Sequence, residues 1–269
     1  MTARGGGRAA PRAIGSAFAI GGGFVNDTAH NTTGGAKAPD RMHGAPARDV
    51  VRISAFDFDG TLIAGNSPVL LVRYLNKLGK LDKSVIARIL LWGIAYKLRL
   101  PQNESWVRGL VFRAFSGEPA SKVDAFLRDF YDSHVAKLFR AQAAAELAAR
   151  HAQGDVVVVV SATFEPIIER MMESHPVDFQ LSTRMRTASD GTYTCEVEGL
   201  PVEGDQKLVR LREFADARFG AGGWELEAAY GDHHSDRSLL AAAKHPVAVC
   251  PDRPLSRTAR AEGWREVEW

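Results

Sequence analysis

The chain has 269 residues, enough for one large domain or for two smaller ones sharing a core. A hydrophobic share of 45% and a charged share of 25% are those of an ordinary soluble globular protein, and a formal net charge of +2, with Lys and Arg mixed evenly among acids, argues against nucleic acid as the main partner. Two cysteines, Cys195 and Cys250, lie far apart and outside any C-x-x-C pattern, which suits a reducing cytoplasm and argues against a disulfide framework or a zinc site.

In chain order, residues 1–49 come first and differ in composition from the rest. Glycine-rich runs such as "ARGGGRAAPRAIGSAFAIGGGF" offer few core-forming residues and predict a disordered tail, with Met42 a candidate start. A secretory segment is disfavoured because an h-region should be more apolar than "AIGSAFAI" and less broken by glycine. The run "VVRISAFDF" (Val50 to Phe58) then reads as a strand buried on both faces, as do "VVVVV" (Val156 to Val160), "WELEAAY" (Trp224 to Tyr230) and "PVAVC" (Pro246 to Cys250). Helical patterns follow three of them, at Glu165 to Ser174, Ser235 to Lys244 and Pro254 to Gly263, and another from Gln206 to Phe219 precedes the third strand. This order predicts an α/β fold with an open, Rossmann-like parallel sheet, whose sites lie beyond the carboxyl ends of its strands.

Between the first two strands the strand pattern disappears. Segments such as "SPVLLVRYLNKLG" and "SKVDAFLRDFYDSHVAKLFRAQAAAELAARHA" carry helix-spaced apolar residues, so residues 65–151 are predicted to form an inserted all-α cap domain, with 50–64 and 152–269 as the core. Leaving the sheet at the carboxyl end of its first strand, the insert would stand over the site and exclude water. Val85 to Tyr96 carries one charge, Arg88, and is too short to span a bilayer; it reads as a buried cap helix, with a lipid-facing surface as the alternative.

The strand ends carry the chemistry. Asp57 and Asp59 end the first strand, Ser161-Ala162-Thr163 follows "VVVVV", Asp232 and Asp236 follow "WELEAAY", and Lys207 opens the helix in "EGDQKLVRL". Carboxylates gathered in one crevice repel one another unless a cation holds them, and oxygen donors with few histidines favour magnesium over zinc. Ser161 taken alone could simply cap the next helix, and His233 and His234 read as outer or exposed residues because magnesium prefers oxygen.

Asp-x-Asp-Gly-Thr after a first strand, Ser-x-Thr after a second, an isolated Lys and Gly-Asp-x-x-x-Asp after a later one together resemble the haloacid dehalogenase superfamily over about Val50 to Trp269. The position of the insert resembles the C1 cap of its phosphoserine phosphatase-like branch, subfamily IB. The resemblance implies a magnesium-dependent phosphatase acting on a small-molecule or lipid phosphate monoester. Asp57 would be the nucleophile and Asp59 the general acid and base. Magnesium would be held by Asp57, the Asp59 carbonyl and Asp232; Ser161, Ala162 and Thr61 would bind the phosphoryl group; Lys207 would neutralise charge; and Asp236 would orient Lys207 or a metal-bound water. Phosphoserine phosphatases carry a glutamate nine residues after the nucleophile; here that position is Asn66, which points to a different substrate. The alternatives are a phosphotransferase or phosphomutase of the same superfamily and a phospho-accepting signalling module. The insert counts against the module, and Asp59 counts against a dehalogenase.

Overall fold

Six strands form one parallel sheet whose central members carry apolar residues toward both faces, so both faces are covered by helices. A computed structural model describes residues 50–79 and 112–269. The tail 1–49, Met42 and the greasy segment from Val85 to Tyr96 lie outside the described residues. The strands are β1 (Val51–Phe56), β2 (Val156–Phe164), β3 (Phe179–Thr183), β6 (Trp224–Gly231), β7 (His245–Val249) and β8 (Arg265–Val267), in the order β3-β2-β1-β6-β7-β8. A short antiparallel hairpin, β4 (Met185–Thr187) with β5 (Tyr193–Val197), stands apart from the sheet.

The helices are α1 (Ser67–Lys77), α2 (Ala120–Phe130), α3 (Ala141–Ala152), α4 (Glu165–Met172), α5 (Asp205–Phe219), α6 (Arg237–Ala241) and α7 (Arg253–Glu262). Alternation along β1 sorts them into layers. Ile53 and Ala55 face a cluster that includes Leu211 and Ala215 of α5, Leu239 and Leu240 of α6 and Leu255 and Ala259 of α7. Phe56 faces the opposite cluster, with Leu147 of α3 and Ile167, Ile168 and Met171 of α4. Truncating one of these fully buried leucines, such as Leu211→Ala, removes about 2–5 kcal/mol.

Local chemistry fixes the helix ends. Asn66 caps α1 by accepting from Val69 N at 3.1 Å, with Pro68 in the first turn, and Asp252 caps α7 by accepting from Leu255 N at 2.7 Å, ahead of Pro254. The helical pattern running from 121 to 152 is interrupted. After α2 the chain passes through a π turn, Tyr131–Val135, and a 3-10 turn, Ala136–Leu138, then extends at Phe139 and Arg140 before α3. The interruption has a long-range cause: Ala64 N donates to Leu138 O at 2.8 Å and Arg140 N to Leu62 O at 2.9 Å, so this stretch pairs with the loop after β1. No helix among the described residues is long and apolar enough to cross a membrane.

Candidate active site

β1, β2 and β6 are neighbours, so their carboxyl ends deliver the acidic residues to one place. Asp57 N donates to Tyr230 O at 2.9 Å, continuing the β1–β6 pairing one residue past the strand. Beyond it the chain turns sharply: Leu62 N and Ile63 N both return to Phe58 O, and Gly60 N donates to Gly65 O at 2.8 Å. Gly60 has φ +81°, and a Cβ there would fall 2.0 Å from Asp232 Oδ2. Only glycine lets this turn lie against the Asp232 carboxylate.

Lys207, in the first turn of α5, is buried beneath this cluster. Its Nζ donates to Asp57 Oδ1 at 2.6 Å and to Asp236 Oδ1 at 2.5 Å. Burial opposes the ammonium charge, but the Asp236 and Asp57 carboxylates outweigh it and hold the Lys207 pKa above the ordinary lysine value. One ammonium does not neutralise the acids around it. Burial pushes Asp57 up to about 7 against the pull of Lys207, with Asp236 and Asp59 adding to the rise. Asp232 is pushed up to about 9, by burial first and then by repulsion from Asp57 and Asp236. The Thr61 hydroxyl lies between the two, 3.4 Å from Asp57 Oδ2 and 3.3 Å from Asp232 Oδ1.

Asp59 has its own cradle. Oδ1 accepts from Ser67 N at 2.5 Å, Oδ2 accepts from Ser67 Oγ at 3.1 Å and from the Thr163 hydroxyl, and the two hydroxyls are 2.9 Å apart. Burial raises the Asp59 pKa, and the bonds from Thr163 and Ser67 restrain the rise.

All the acidic residues and the lysine expected from the sequence therefore lie together, and Ser161, Asn66 and Asp236 each make local contacts of their own. Ser161, Ala162 and Thr163 lie within β2, which runs to Phe164, and Ser161 does not cap the following helix: its Oγ accepts from Thr163 N at 3.1 Å. Asn66 caps α1 with its side-chain oxygen. Asp236 joins the acidic group itself, since Asp57, Asp232 and Asp236 each offer an oxygen within 4.8 Å of the others, besides holding Lys207. His233 turns to Asp252, with Nε2 3.4 Å from Asp252 Oδ2, and His234 is exposed.

Ser67 and Thr163 were missed as functional residues. Thr163 was within reach, since residues two apart on a strand share a face and Ser161 was already singled out. Ser67 gave no signal, because serine in the first turn of a helix is ordinary. A separate cavity of about 410 Å³ beside β3 is lined by Glu165, Gln180 and Arg184 among others, and contains none of the acidic group. Its charges satisfy one another: Arg184 donates to Glu165 through Nε and Nη2, both at 2.6 Å.

The donor set fits a hard divalent cation. Three carboxylates, two of them with raised pKa values and only the Lys207 ammonium among them, form a site short of positive charge, and magnesium prefers such oxygen donors.

Comparison with known proteins agrees with the geometry. A family model described as haloacid dehalogenase-like hydrolase matches residues 55–241. The chain is 28% identical over 232 residues to a protein of Mycobacterium tuberculosis named "Probable phosphatase", covering 85% of this chain and 79% of that protein. It is 26% identical over 230 residues to a histidinol-phosphatase of Neisseria meningitidis serogroup C, covering 79% of this chain and 96% of that one. A solved structure of a protein of unknown function from Bordetella pertussis shares the fold, with TM-score 0.71 at 23% identity, covering 81% of this chain and 98% of the other. Since the family match runs from the strand that carries the aspartate pair to the helix beyond the last acidic loop, the chain belongs to the haloacid dehalogenase-like hydrolases.

Proposed function

We propose that this hydrolase is a magnesium-dependent phosphatase that cleaves a phosphate monoester by way of a phosphoryl group carried on Asp57. The observation that carries the reading is the Lys207 ammonium shared between Asp57 and Asp236 beside a second aspartate, Asp59, held by two hydroxyls. It supports a division of labour between the paired carboxylates. Asp57 is the nucleophile: its oxygen forms a bond to phosphorus as the bond to the ester oxygen breaks. Asp59, with a raised pKa, gives its proton to that departing oxygen, then takes one from the water that attacks the acyl phosphate and releases inorganic phosphate.

Magnesium would be held by Asp57, Asp232 and the Asp59 carbonyl, and would supply positive charge against which carboxylate and phosphoryl group can approach. Lys207 keeps Asp57 ionised and in place. Ser161, Ala162 and Thr61 bind the phosphoryl oxygens. Residues 65–151 act as the cap of the subfamily IB arrangement over the core formed by 50–64 and 152–269, with α3 as its return limb: Arg150 Nε donates to Tyr230 Oη at 2.8 Å on the sheet. The names of the two relatives support a small phosphate monoester as substrate, and Asn66 at the entrance to the cap contributes to its selection. The setting is cytoplasmic.

The test is a panel of phosphate monoesters, including histidinol phosphate, phosphoserine and lipid phosphates, with magnesium and with EDTA. Release of phosphate from one class, dependent on magnesium and lost in Asp57→Asn, is the expected result. Release that persists in EDTA and in the variant would overturn the reading.

A further inference from the structure

We infer that Arg140, at the far end of the insert, is a positioning residue that sets the distance between the two acidic loops; the inference rests on the phosphatase reading above. Its guanidinium joins two carbonyls from distant parts of the chain. Nη2 donates to Gly60 O at 3.2 Å and Nη1 to Trp269 O at 2.7 Å. Gly60 follows Asp59 directly and is the residue against which the Asp232 carboxylate rests, so its peptide is the contact point of the two loops.

The bonds close a ring around the site. From Trp269 the path continues to Cys250, whose Sγ lies 3.4 Å from Trp269 N and whose own N donates to Val267 O at 2.7 Å. Two residues on, Asp252 N donates to Asp232 O at 2.8 Å, and Asp232 leads back to Gly60. The links are hydrogen bonds joined by short runs of chain and closed by the Gly60–Asp232 contact; Thr61 Oγ1 also reaches Asp232 Oδ1 at 3.3 Å, and Arg140 is the side chain that joins the Asp57–Thr61 loop to the Trp269 arm of the ring. Beneath it, Trp269 stacks on Tyr230 with centroids 5.8 Å apart, and Tyr230 stacks on Phe56 at 4.1 Å, directly before Asp57.

The arginine is fixed to do this. Its own N donates to Leu62 O, so its backbone is already paired with the loop its side chain braces. Its Nε is buried without a partner, so the side chain accepts an unpaired donor while keeping both carbonyl bonds. Lysine could not replace it fully, because a single ammonium lacks the planar fork that spans two carbonyls. In metal sites, groups that orient the ligands from outside commonly matter 10- to 100-fold in affinity or activity.

The test compares Arg140→Met, which keeps the length and removes the donors, with Arg140→Lys. Magnesium affinity is measured by calorimetry, kcat and KM on whichever monoester the wild type hydrolyses, and thermal stability without metal. The account expects Arg140→Met to weaken magnesium binding and lower kcat by about 10- to 100-fold with KM little changed. Arg140→Lys should recover part of both. Unchanged magnesium affinity and kcat in Arg140→Met would overturn the inference. So would a loss that simply follows thermal stability, with lysine no better than methionine. Should the methionine variant fail to fold, Arg140→Lys decides alone: weakened magnesium binding in a stable protein supports the brace, and wild-type binding refutes it. A wild-type protein that binds no magnesium while Asp57→Asn stays active would instead refute the phosphatase reading itself.

Discussion

Two ionic groups lie on this sheet, one deeply buried and one partly exposed, and they are built on opposite plans. At the carboxyl ends of β1 and β6, Asp57, Asp59, Asp232 and Asp236 share one cation, Lys207. At the start of β2, Asp155 and Glu146 face two cations: Arg52 bonds to Asp155, and Arg150 Nε lies 3.0 Å from Glu146 Oε1, with Ser54 Oγ donating to Asp155 at 2.8 Å and Tyr230 Oη donating to Glu146. The second group is balanced, and its task is to hold β1, β2, β6 and α3 together. The first is short of positive charge, which burial makes costly unless something else arrives. The buried group left unbalanced is the one where the proposed cation and substrate would act.

The sharpest way to break the comparison is to neutralise one acid in each group. Asp232→Asn should cost activity on the order of 10³-fold or more, as loss of a metal ligand in the proposed site, yet raise metal-free stability at neutral pH by about 1 kcal/mol or more, because Asp232 must take up a proton on folding and asparagine need not. Asp155→Asn should do the reverse, lowering stability by about 1–3 kcal/mol by leaving Arg52 short of its partner while turnover per folded molecule stays near wild type. Chemical denaturation in EDTA, together with initial rates in magnesium, reads both. Equal signs of the stability change in the two variants would erase the distinction.

A next step down in size separates the hydroxyls from the carboxylates. Thr163→Val, which removes one of the bonds restraining Asp59, should slow cleavage of an alkyl phosphate ester by about 10²-fold. It should barely affect an ester whose leaving group needs no proton. Rates on the two ester types check this, and equal losses would place Thr163 in phosphate binding.

The pH dependence of stability sharpens the comparison further. Asp57 and Asp232 have folded pKa values near 7 and 9, above the ordinary 3.8, so between about pH 4 and those values the folded chain holds protons that the unfolded chain has lost. Stability of the metal-free protein is then greatest below pH 4 as far as these two groups decide it, and falls as pH rises, through 7 for Asp57 and 9 for Asp232. Magnesium should reverse the trend, since it binds the ionised forms. Thermal midpoints across pH 5 to 9, with EDTA and with magnesium, measure this; a metal-free midpoint that rises steadily over that range in the wild type and not in Asp232→Asn would contradict it. The smallest effect is expected at Asn66, where Asn66→Ala should cost about 1 kcal/mol as a lost helix cap and change the ranking of natural esters more than the rate on a small artificial one.

How far the sequence carried these conclusions depended on burial. β1, β2, β6 and β7 are rich in apolar residues and mostly buried toward their carboxyl ends because helices cover both faces, and strands like these announce themselves. β3, with "FQLST", and β8, with "REV", are edge strands with mixed residues and partial burial, and the β4–β5 hairpin is short and polar; none of these four was legible. The break in the helical run at Phe139 and Arg140 was hidden for another reason, since its cause is pairing with Leu62 and Ala64 far back in the chain. At the site, Asp57, Asp59, Asp232 and Asp236 could be read because acids at the ends of buried strands have few structural reasons to be there, and Lys207 could be read only in their company. Ser67 and Arg140 could not, because their partners are set by the fold and their residue types are common at helix ends; Thr163 was within reach through its place two residues from Ser161 on one strand.

The central claim is that Asp57 carries the phosphoryl group while Asp59 moves the protons. The direct measurement is mass spectrometry of the Asp59→Asn protein, mixed with an activated phosphate ester and magnesium and quenched in acid. The account predicts a phosphoryl adduct on the Asp57 peptide that builds up, persists, and disappears with hydroxylamine as an acyl phosphate does. An adduct on another residue, or a full-rate Asp57→Asn enzyme, would contradict it.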